Sequence, residues 1–262
     1  MSKTYLDAIG AAHRARAAAD TRSWRERSAT IRQGTSFADA LRPEASPFVK
    51  VIAEIKRKSP SKGWLAEHLD AASLATLYQA AGASAVSVLT DQLHFGARPD
   101  DLAVASASLT IPTLRKDFTV CENDILDAAE QSAAAILLIV ALLSDDELRR
   151  FHELATSLDL DVLVEIHDVA EAKRAVNCGA RIIGVNQRNL TTFEVDPTHA
   201  ATVAQSLPHD VIRVAESGLR TSADVERAAE AGFHAVLVGE TFVTSSDPSA
   251  AVSSFAAVPL RS

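Results

Sequence analysis

Cysteine is scarce: two residues in 262, Cys121 and Cys178, each falling in an expected element. That excludes a disulfide framework and offers no metal-ligand spacing. Basic charge is in deficit: 26 Lys and Arg against 34 Asp and Glu leave a net charge of −8. A field of that sign opposes general binding to nucleic acid or to an anionic membrane. No apolar run is long. The longest, residues 133–143, falls short of the roughly 20 residues a membrane-spanning helix needs. The opening MSKTYLDAIGAAHRARAAAD lacks a signal peptide's apolar core, and Asp7 and Asp20 weigh against a transit peptide. There is no G-x-G-x-x-G after the first strand, no G-x-x-x-x-G-K-[ST] and no Ser–His–Asp pattern with a nucleophile elbow. His13, His68, His94, His152, His199, His209 and His234 show no paired spacing and read as surface or structural residues. These absences leave a soluble protein of a reducing compartment, expected to be cytoplasmic. With 47% hydrophobic residues it can build a substantial core.

What is present is a rhythm. After residues 1–46, which read as a helix, a polar loop and a short helix around 37–41, eight short apolar runs follow at 49–55, 85–89, 112–114, 135–140, 162–166, 182–185, 211–215 and 235–238. Each is strand-like and bounded by turn residues. Helical segments lie between them, including 71–81, 122–132, 145–158, 169–178 and 222–231, several closed by glycine as in "AAGA", "NCGA" and "EAGF". Strand–helix alternation makes a parallel sheet, and eight units point to a closed (β/α)8 barrel rather than an open doubly wound sheet. Residues 1–46 are expected to be a helical extension packed on the barrel of residues 47–262, in one domain.

Strand alternation then sorts the polar residues. In "VIAEIKRKSPSKG", Val51, Ala53 and Ile55 share the face suited to the helix layer; Ile52, Glu54 and Lys56 share the other, with Lys58 if the strand persists. Arg57 is expected against the helix layer or solvent. Lys62 belongs to a glycine-containing loop able to close over a ligand. The same reading groups Leu114, Lys116 and Phe118; Leu163, Glu165 and His167; Gly184, Asn186 and Arg188; and Val214, Glu216 and Gly218. The fourth strand supplies no polar group. Taken singly, Glu165 reads as a solvated loop residue and Lys116 beside Asp117 as an ion pair. Recurrence at the C-terminal end of strand after strand, where barrel enzymes place their chemistry, favours an acid–base site. Gly218 and Gly239, at the turns after strands 7 and 8, suit a phosphate. Phe95 and Phe118 are either core or walls for a planar ligand. Trp24 and Trp64 are expected to pack. His167 sits near Glu165 but far out along the strand.

In order, "VIAEIKRKSPSKG", "VSVLTD", "PTLRKDF", "VLVEIHD", "IIGVNQRNL", "VAESGL" and "AVLVGE" resemble the strand-end motifs of indole-3-glycerol-phosphate synthases over about residues 47–245. The resemblance implies closure of 1-(2-carboxyphenylamino)-1-deoxyribulose 5-phosphate to indole-3-glycerol phosphate. CO2 and water are lost, in tryptophan biosynthesis, without metal or organic cofactor. It makes Lys116 the general acid and Glu165 its acid–base partner, with Glu54 and Lys56 as a second acid–base and anion-binding pair. Lys58 becomes a further cation near the substrate. Asn186, Arg188, Glu216 and Ser217 match polar binding positions, Phe95 and Phe118 the anthranilate pocket, and Gly218, Gly239 and Glu240 the phosphate cradle. The partner implied is a small phosphorylated substrate, and a monomer is expected. The loop "TDQLHFGARPDDL" departs from the family pattern, with Asp91 where Glu is usual. Of the rival readings, the isomerase that makes this substrate would want a Cys and an Asp at strand ends, and neither cysteine ends a strand. A non-catalytic phosphate-binding barrel would have lost one of Glu54, Lys116 or Glu165.

Overall fold

The computed structural model describes residues 5–27, 34–188 and 194–261. Eight parallel strands close into a barrel: β1 (Lys50–Ile55), β2 (Ala85–Leu89), β3 (Thr113–Lys116), β4 (Ala135–Ile139), β5 (Asp161–Ile166), β6 (Ile182–Asn186), β7 (Ile212–Glu216) and β8 (Ala235–Val238). Neighbours in sequence are neighbours in the sheet. Closure comes from β1, which pairs with β8 through Lys50–Ala235 to Ala53–Val238 and with β2 through Ile52–Ala85 to Ile55–Val88. The helices in chain order are α1 (Tyr5–Ala19), α2 (Phe37–Leu41), α3 (Ala71–Ala80), α4 (Gln92–Phe95), α5 (Asp101–Ser108), α6 (Glu122–Glu130), α7 (Asp145–Ser157), α8 (Val169–Asn177), α9 (Pro197–Gln205), α10 (Ser222–Glu230), α11 (Glu240–Val243) and α12 (Pro248–Ala256). Their starts are written in the sequence. Asp70, Ser144, Asp168 and Thr221 each accept a hydrogen bond from the amide three residues on, satisfying a donor that the helix leaves open.

The two faces of each strand go where alternation sends them. Val51, Ala53 and Ile55 join the layer between sheet and helices. Ile52, Leu114, Leu137, Leu163, Val214 and Leu237 fill the lumen. Phe37 and Leu41 of α2, both fully buried, close the lumen at the N-terminal ends of the strands, where the Ala38 amide donates to Asp161 Oδ2 at 2.9 Å. Burying each such side chain contributes about 2 kcal/mol.

The first helix lies at the opposite end. Arg14 pairs with Glu147 at 2.7 Å and donates to the Leu142 carbonyl; Arg16 pairs with Asp124 at 2.6 Å; Arg22 and Arg27 both reach Asp127. The extension is thereby tied to α6 and α7. Gly10 allows close approach, since a side chain there would press into Leu142.

Strand ends differ from expectation by one or two residues. The largest difference is β3, which runs to Lys116 rather than Leu114 because Arg115 and Lys116 continue the ladder against Val88 and Leu89. After β1 the chain leaves the barrel and folds into an antiparallel hairpin of Lys58–Ser59 and Gly63–Trp64. Trp64 does not pack into the interior as expected; it is 51% exposed and borders Gly96. Cys121 caps the start of α6 and Cys178 the end of α8, both as free thiols. Among the described residues no helix is long and apolar enough to cross a membrane.

Candidate active site

The C-terminal ends of the strands surround one cavity. From β1, Glu54 and Lys56 enter it; from β3, Lys116; from β5, Glu165; from β6, Asn186 and Arg188; from β7, Glu216 and Ser217. Gly218, Gly239 and Glu240 form its rim after β7 and β8, and Phe95 and Phe118 line its side. Leu137 and Ile139 make an apolar patch where the fourth strand contributes no polar group.

Lys116 sits among carboxylates. Its Nζ is 3.4 Å from Glu165 Oε2 and 3.6 Å from Glu216 Oε2. Burial alone would lower its pKa, but the charges of Glu165, Glu216 and Glu54 outweigh burial and raise it, so the ammonium stays protonated. The two carboxylates diverge. Burial works to raise Glu165, but Lys116, His167 and the Asn186 amide hold it below its ordinary value. Glu216 is pushed up to about 8, first by burial and then by the nearby Glu165 charge. Its Oε1 is buried and has no hydrogen-bond partner among the described residues. One ionised and one protonated carboxyl beside a single ammonium is a common acid–base arrangement. On the other wall, Lys56 Nζ donates to Glu54 Oε1 at 2.7 Å.

A polar relay fixes Glu165 from the β6 side. The Asn186 amide donates to Glu165 Oε1 at 3.1 Å, while its Oδ1 accepts from the Ser217 hydroxyl at 2.8 Å and from the Arg188 amide at 3.1 Å. Two donors on one atom and an acceptor on the other settle which way the amide points. Ser217 adopts φ +68°, followed by Gly218 at +76°. A non-glycine residue in the left-handed region costs on the order of 1 kcal/mol or more, and here it turns the hydroxyl onto Asn186. Gln187 supports that turn by donating to the Ser217 carbonyl at 3.2 Å.

Two glycines make room for carboxylates. A side chain on Gly184 would collide with Glu216 Oε1, and one on Gly239 with Glu54 Oε1. Gly239 thus has a packing duty besides its place at the start of α11. A side chain on Gly218 would strike Val195. Glu240 is held at 2.5 Å by Lys62, so the hairpin loop after β1 is tied to the loop after β8 across the mouth. Phe95 and Phe118 stand with ring centres 6.1 Å apart, tilted by 34°.

Lys58 is absent from the cavity lining. Its ammonium lies 5.8 Å above the Trp64 ring on the hairpin. Arg57 turns to the helix layer, where it meets Asp101 through two bonds of 2.6 and 3.1 Å, both side chains buried. His167 comes closer than expected: its Nε2 is 3.7 Å from Glu165 Oε1 while Nδ1 faces Glu171. Asn189 and Leu190 of the "NQRNL" motif lie outside the described residues. Several contributors had no sequence signal of their own. Tyr5, Leu6 and Ile9 of α1 line the cavity. Asp117 secures the end of β3 by accepting from Arg115, the Thr90 hydroxyl and the Phe118 amide; an acid beside a strand-end lysine was its only trace.

Among solved structures, a thiamine phosphate pyrophosphorylase from Pyrococcus furiosus superposes with a TM-score of 0.60 at 13% identity. It covers 79% of this chain and 93% of its own. KGPDC from Streptococcus mutans gives 0.60 at 10%, over 79% of this chain and 95% of its own. At such identities the likeness concerns the barrel alone. Sequence relatives are much nearer. A protein of Micrococcus luteus described as indole-3-glycerol phosphate synthase is 49% identical over 212 residues, 81% of this chain and 79% of its own length. One of Mycobacterium sp. strain KMS, with the same description, is 50% identical over 214 residues, 82% and 79%. That of Mycolicibacterium gilvum is 45% identical over 253 residues, 96% and 93%. The family model described as indole-3-glycerol phosphate synthase matches residues 5–255: the chain belongs to the indole-3-glycerol phosphate synthase family.

Proposed function

We propose that Lys116 is the general acid and Glu165 its partner base in the reaction of this family. The activity follows from membership: a carboxy-lyase of tryptophan biosynthesis that acts on a phosphorylated small molecule. The observation that carries the residue roles is the position of the Lys116 ammonium between Glu165 and Glu216 in the cavity.

The ring closure of 1-(2-carboxyphenylamino)-1-deoxyribulose 5-phosphate divides into steps that these groups serve. As the aromatic carbon bonds to the ribulose carbonyl carbon, Lys116 protonates the oxygen and becomes neutral. CO2 then leaves, its bonding electrons restoring the ring. The departing hydroxyl leaves as water with a proton from Lys116, once Lys116 has been reprotonated, and the adjacent C–H gives its proton to the ionised Glu165. Glu216 carries a proton near neutrality and is placed to return one to Lys116. Each such transfer typically gains about 10²- to 10⁴-fold. Glu54 and Lys56 form the second acid–base pair, with Lys56 facing the substrate carboxylate. Arg188, Asn186 and Ser217 bind the sugar hydroxyls. Phe95 and Phe118 hold the anthranilate ring. Gly218, Gly239 and the first amides of α11 receive the phosphate, with Glu240 neutralised by Lys62. Lys58 approaches only from the hairpin.

No metal or organic cofactor enters these steps. In the same reading residues 1–46 are an extension of a single-domain barrel spanning 47–262, and the protein is a cytoplasmic monomer that binds no nucleic acid or membrane. The test is to incubate purified protein with the carboxyphenylamino-deoxyribulose phosphate and follow indole fluorescence. Turnover by the wild type and its loss in Lys116→Ala are expected; full activity of Lys116→Ala would overturn the assignment.

A further inference from the structure

The fold assembles a constellation that lies outside the acid–base groups. His13 Nε2 from α1 and His94 Nδ1 from α4 both contact one atom, Asp91 Oδ2, at 2.8 Å each. Their ligand atoms all fall within 4.8 Å of one another. The other carboxylate oxygen, Oδ1, is fixed by the His94 amide at 2.6 Å, so Oδ2 is held toward the two rings. His13 and Asp91 are buried and His94 is partly open.

We infer that His13, Asp91 and His94 form a binding site for a zinc-like divalent transition metal, which would pin the N-terminal extension to the loop after β2. Two imidazoles and one carboxylate are the donor set of an open tetrahedral zinc site, with a fourth position for water. Metal–ligand bonds near 2.0–2.1 Å in tetrahedral geometry separate neighbouring donor atoms by about 3.3 Å. The present 2.8 Å contacts therefore need the rings to move apart by a few tenths of an ångström. His94, on a four-residue helix, has that latitude. Metal at His13 Nε2 displaces its proton to Nδ1. Asp117 Oδ1, now 3.9 Å from Nδ1, would close to hydrogen-bond distance to take the part of the carboxylate that backs a metal-bound histidine. Arg16, which contacts Nδ1 at 3.3 Å in the metal-free arrangement, keeps its pair with Asp124.

The site touches the cavity wall without belonging to its chemistry. The His13 ring lies 5.2 Å from Phe118, and Phe95 follows His94 in the chain. Occupancy is thus a means of stiffening that wall from behind, independent of Lys116 and Glu165.

The experiment titrates the full-length, chelator-treated protein with Co2+, reads the visible d–d absorption, and displaces Co2+ with Zn2+. A saturable tetrahedral-type spectrum at one ion per chain is expected, with a rise in melting temperature on Zn2+ addition. His94→Gln should weaken binding by more than the roughly 10- to 100-fold that loss of a backing residue costs. Its melting temperature without metal should stay near the wild-type value. His13→Gln, read by the same spectrum, guards against a fold-specific failure of the first variant. No saturable spectrum, or one that persists unchanged in both variants, overturns the proposal. Activity is not the readout, so the result stands apart from the catalytic assignment.

Discussion

Gly184 on β6 and Glu216 on β7 occupy one space: the Glu216 carboxylate fills the volume that any side chain at position 184 would need. They are near neighbours across parallel strands, Gly184 pairing with Val214 and Asn186 with Glu216. The smallest residue on one strand therefore fixes where the carboxylate on the next can stand, and with it the distance to Lys116.

Gly184→Ala follows directly. The added methyl must displace the Glu216 carboxylate from its present place beside Lys116, and Leu163, also in contact range, limits how far the methyl itself can give way. Misplacing a catalytic group by about 1 Å can cost about 10²-fold in rate. A fall in kcat of that order is expected, with the circular dichroism spectrum and the KM for substrate nearly unchanged. A variant with normal kcat would show that the position of Glu216 does not matter to turnover.

Substitutions at Lys116 separate acid from mere charge. Lys116→Ala should lower kcat by about 10²- to 10⁴-fold. Lys116→Arg keeps the positive charge between Glu165 and Glu216 but holds its proton too tightly to give it up. A purely electrostatic role predicts that Arg rescues most of the rate; a general acid predicts that it does not. Single-turnover indole fluorescence distinguishes the two.

Which strand-end charges face the cavity was legible because a strand has a period of two. Once Ile52 is assigned to the lumen, Glu54 must follow it, and the same holds for Leu163 and Glu165 or Val214 and Glu216. Lys58 shows where that logic stops. β1 ends at Ile55 and the chain turns into a hairpin, so parity no longer says where the side chain goes. Contacts between distant segments were out of reach for a different reason. His13 and Asp91 are 78 positions apart, and neither has a local pattern that names the other. Tyr5, Leu6 and Ile9 reach the cavity on an extension whose arginines find acids on α6 and α7, a pairing that composition cannot order.

Glu216 gives a pH signature. Its folded pKa is raised to about 8, above the ordinary carboxylate value of about 4.3. Between those values the native state keeps a proton that the unfolded chain has released. Native protein then binds more protons, so this group makes stability fall as pH rises through that window. Glu216→Gln removes the effect. The melting temperature of the variant relative to wild type should climb by several degrees, at about 2–4 °C per kcal/mol for a chain of this size, between about pH 5 and pH 8.5. A difference that is flat across this range would mean that Glu216 titrates at or below its ordinary value and is ionised throughout.

The Arg57–Asp101 pair anchors the base of the hairpin to α5. Both residues are nearly inaccessible, at 3% each, and Arg57 also donates to the carbonyls of Glu67 and Leu69. Breaking a buried pair from one side strands a charge and costs about 3–5 kcal/mol. Asp101→Ala should therefore lose about that much in urea unfolding. Replacing both partners with Arg57→Met and Asp101→Leu should cost clearly less than the sum of the single changes, because no charge is left uncompensated. The hairpin is also the segment through which Lys62 reaches Glu240, so loosening its base should raise KM more than it lowers kcat. Additive stability losses in the double variant, or an unchanged KM in Asp101→Ala, would show that the pair neither stores a buried-charge penalty nor steadies the loop over the cavity.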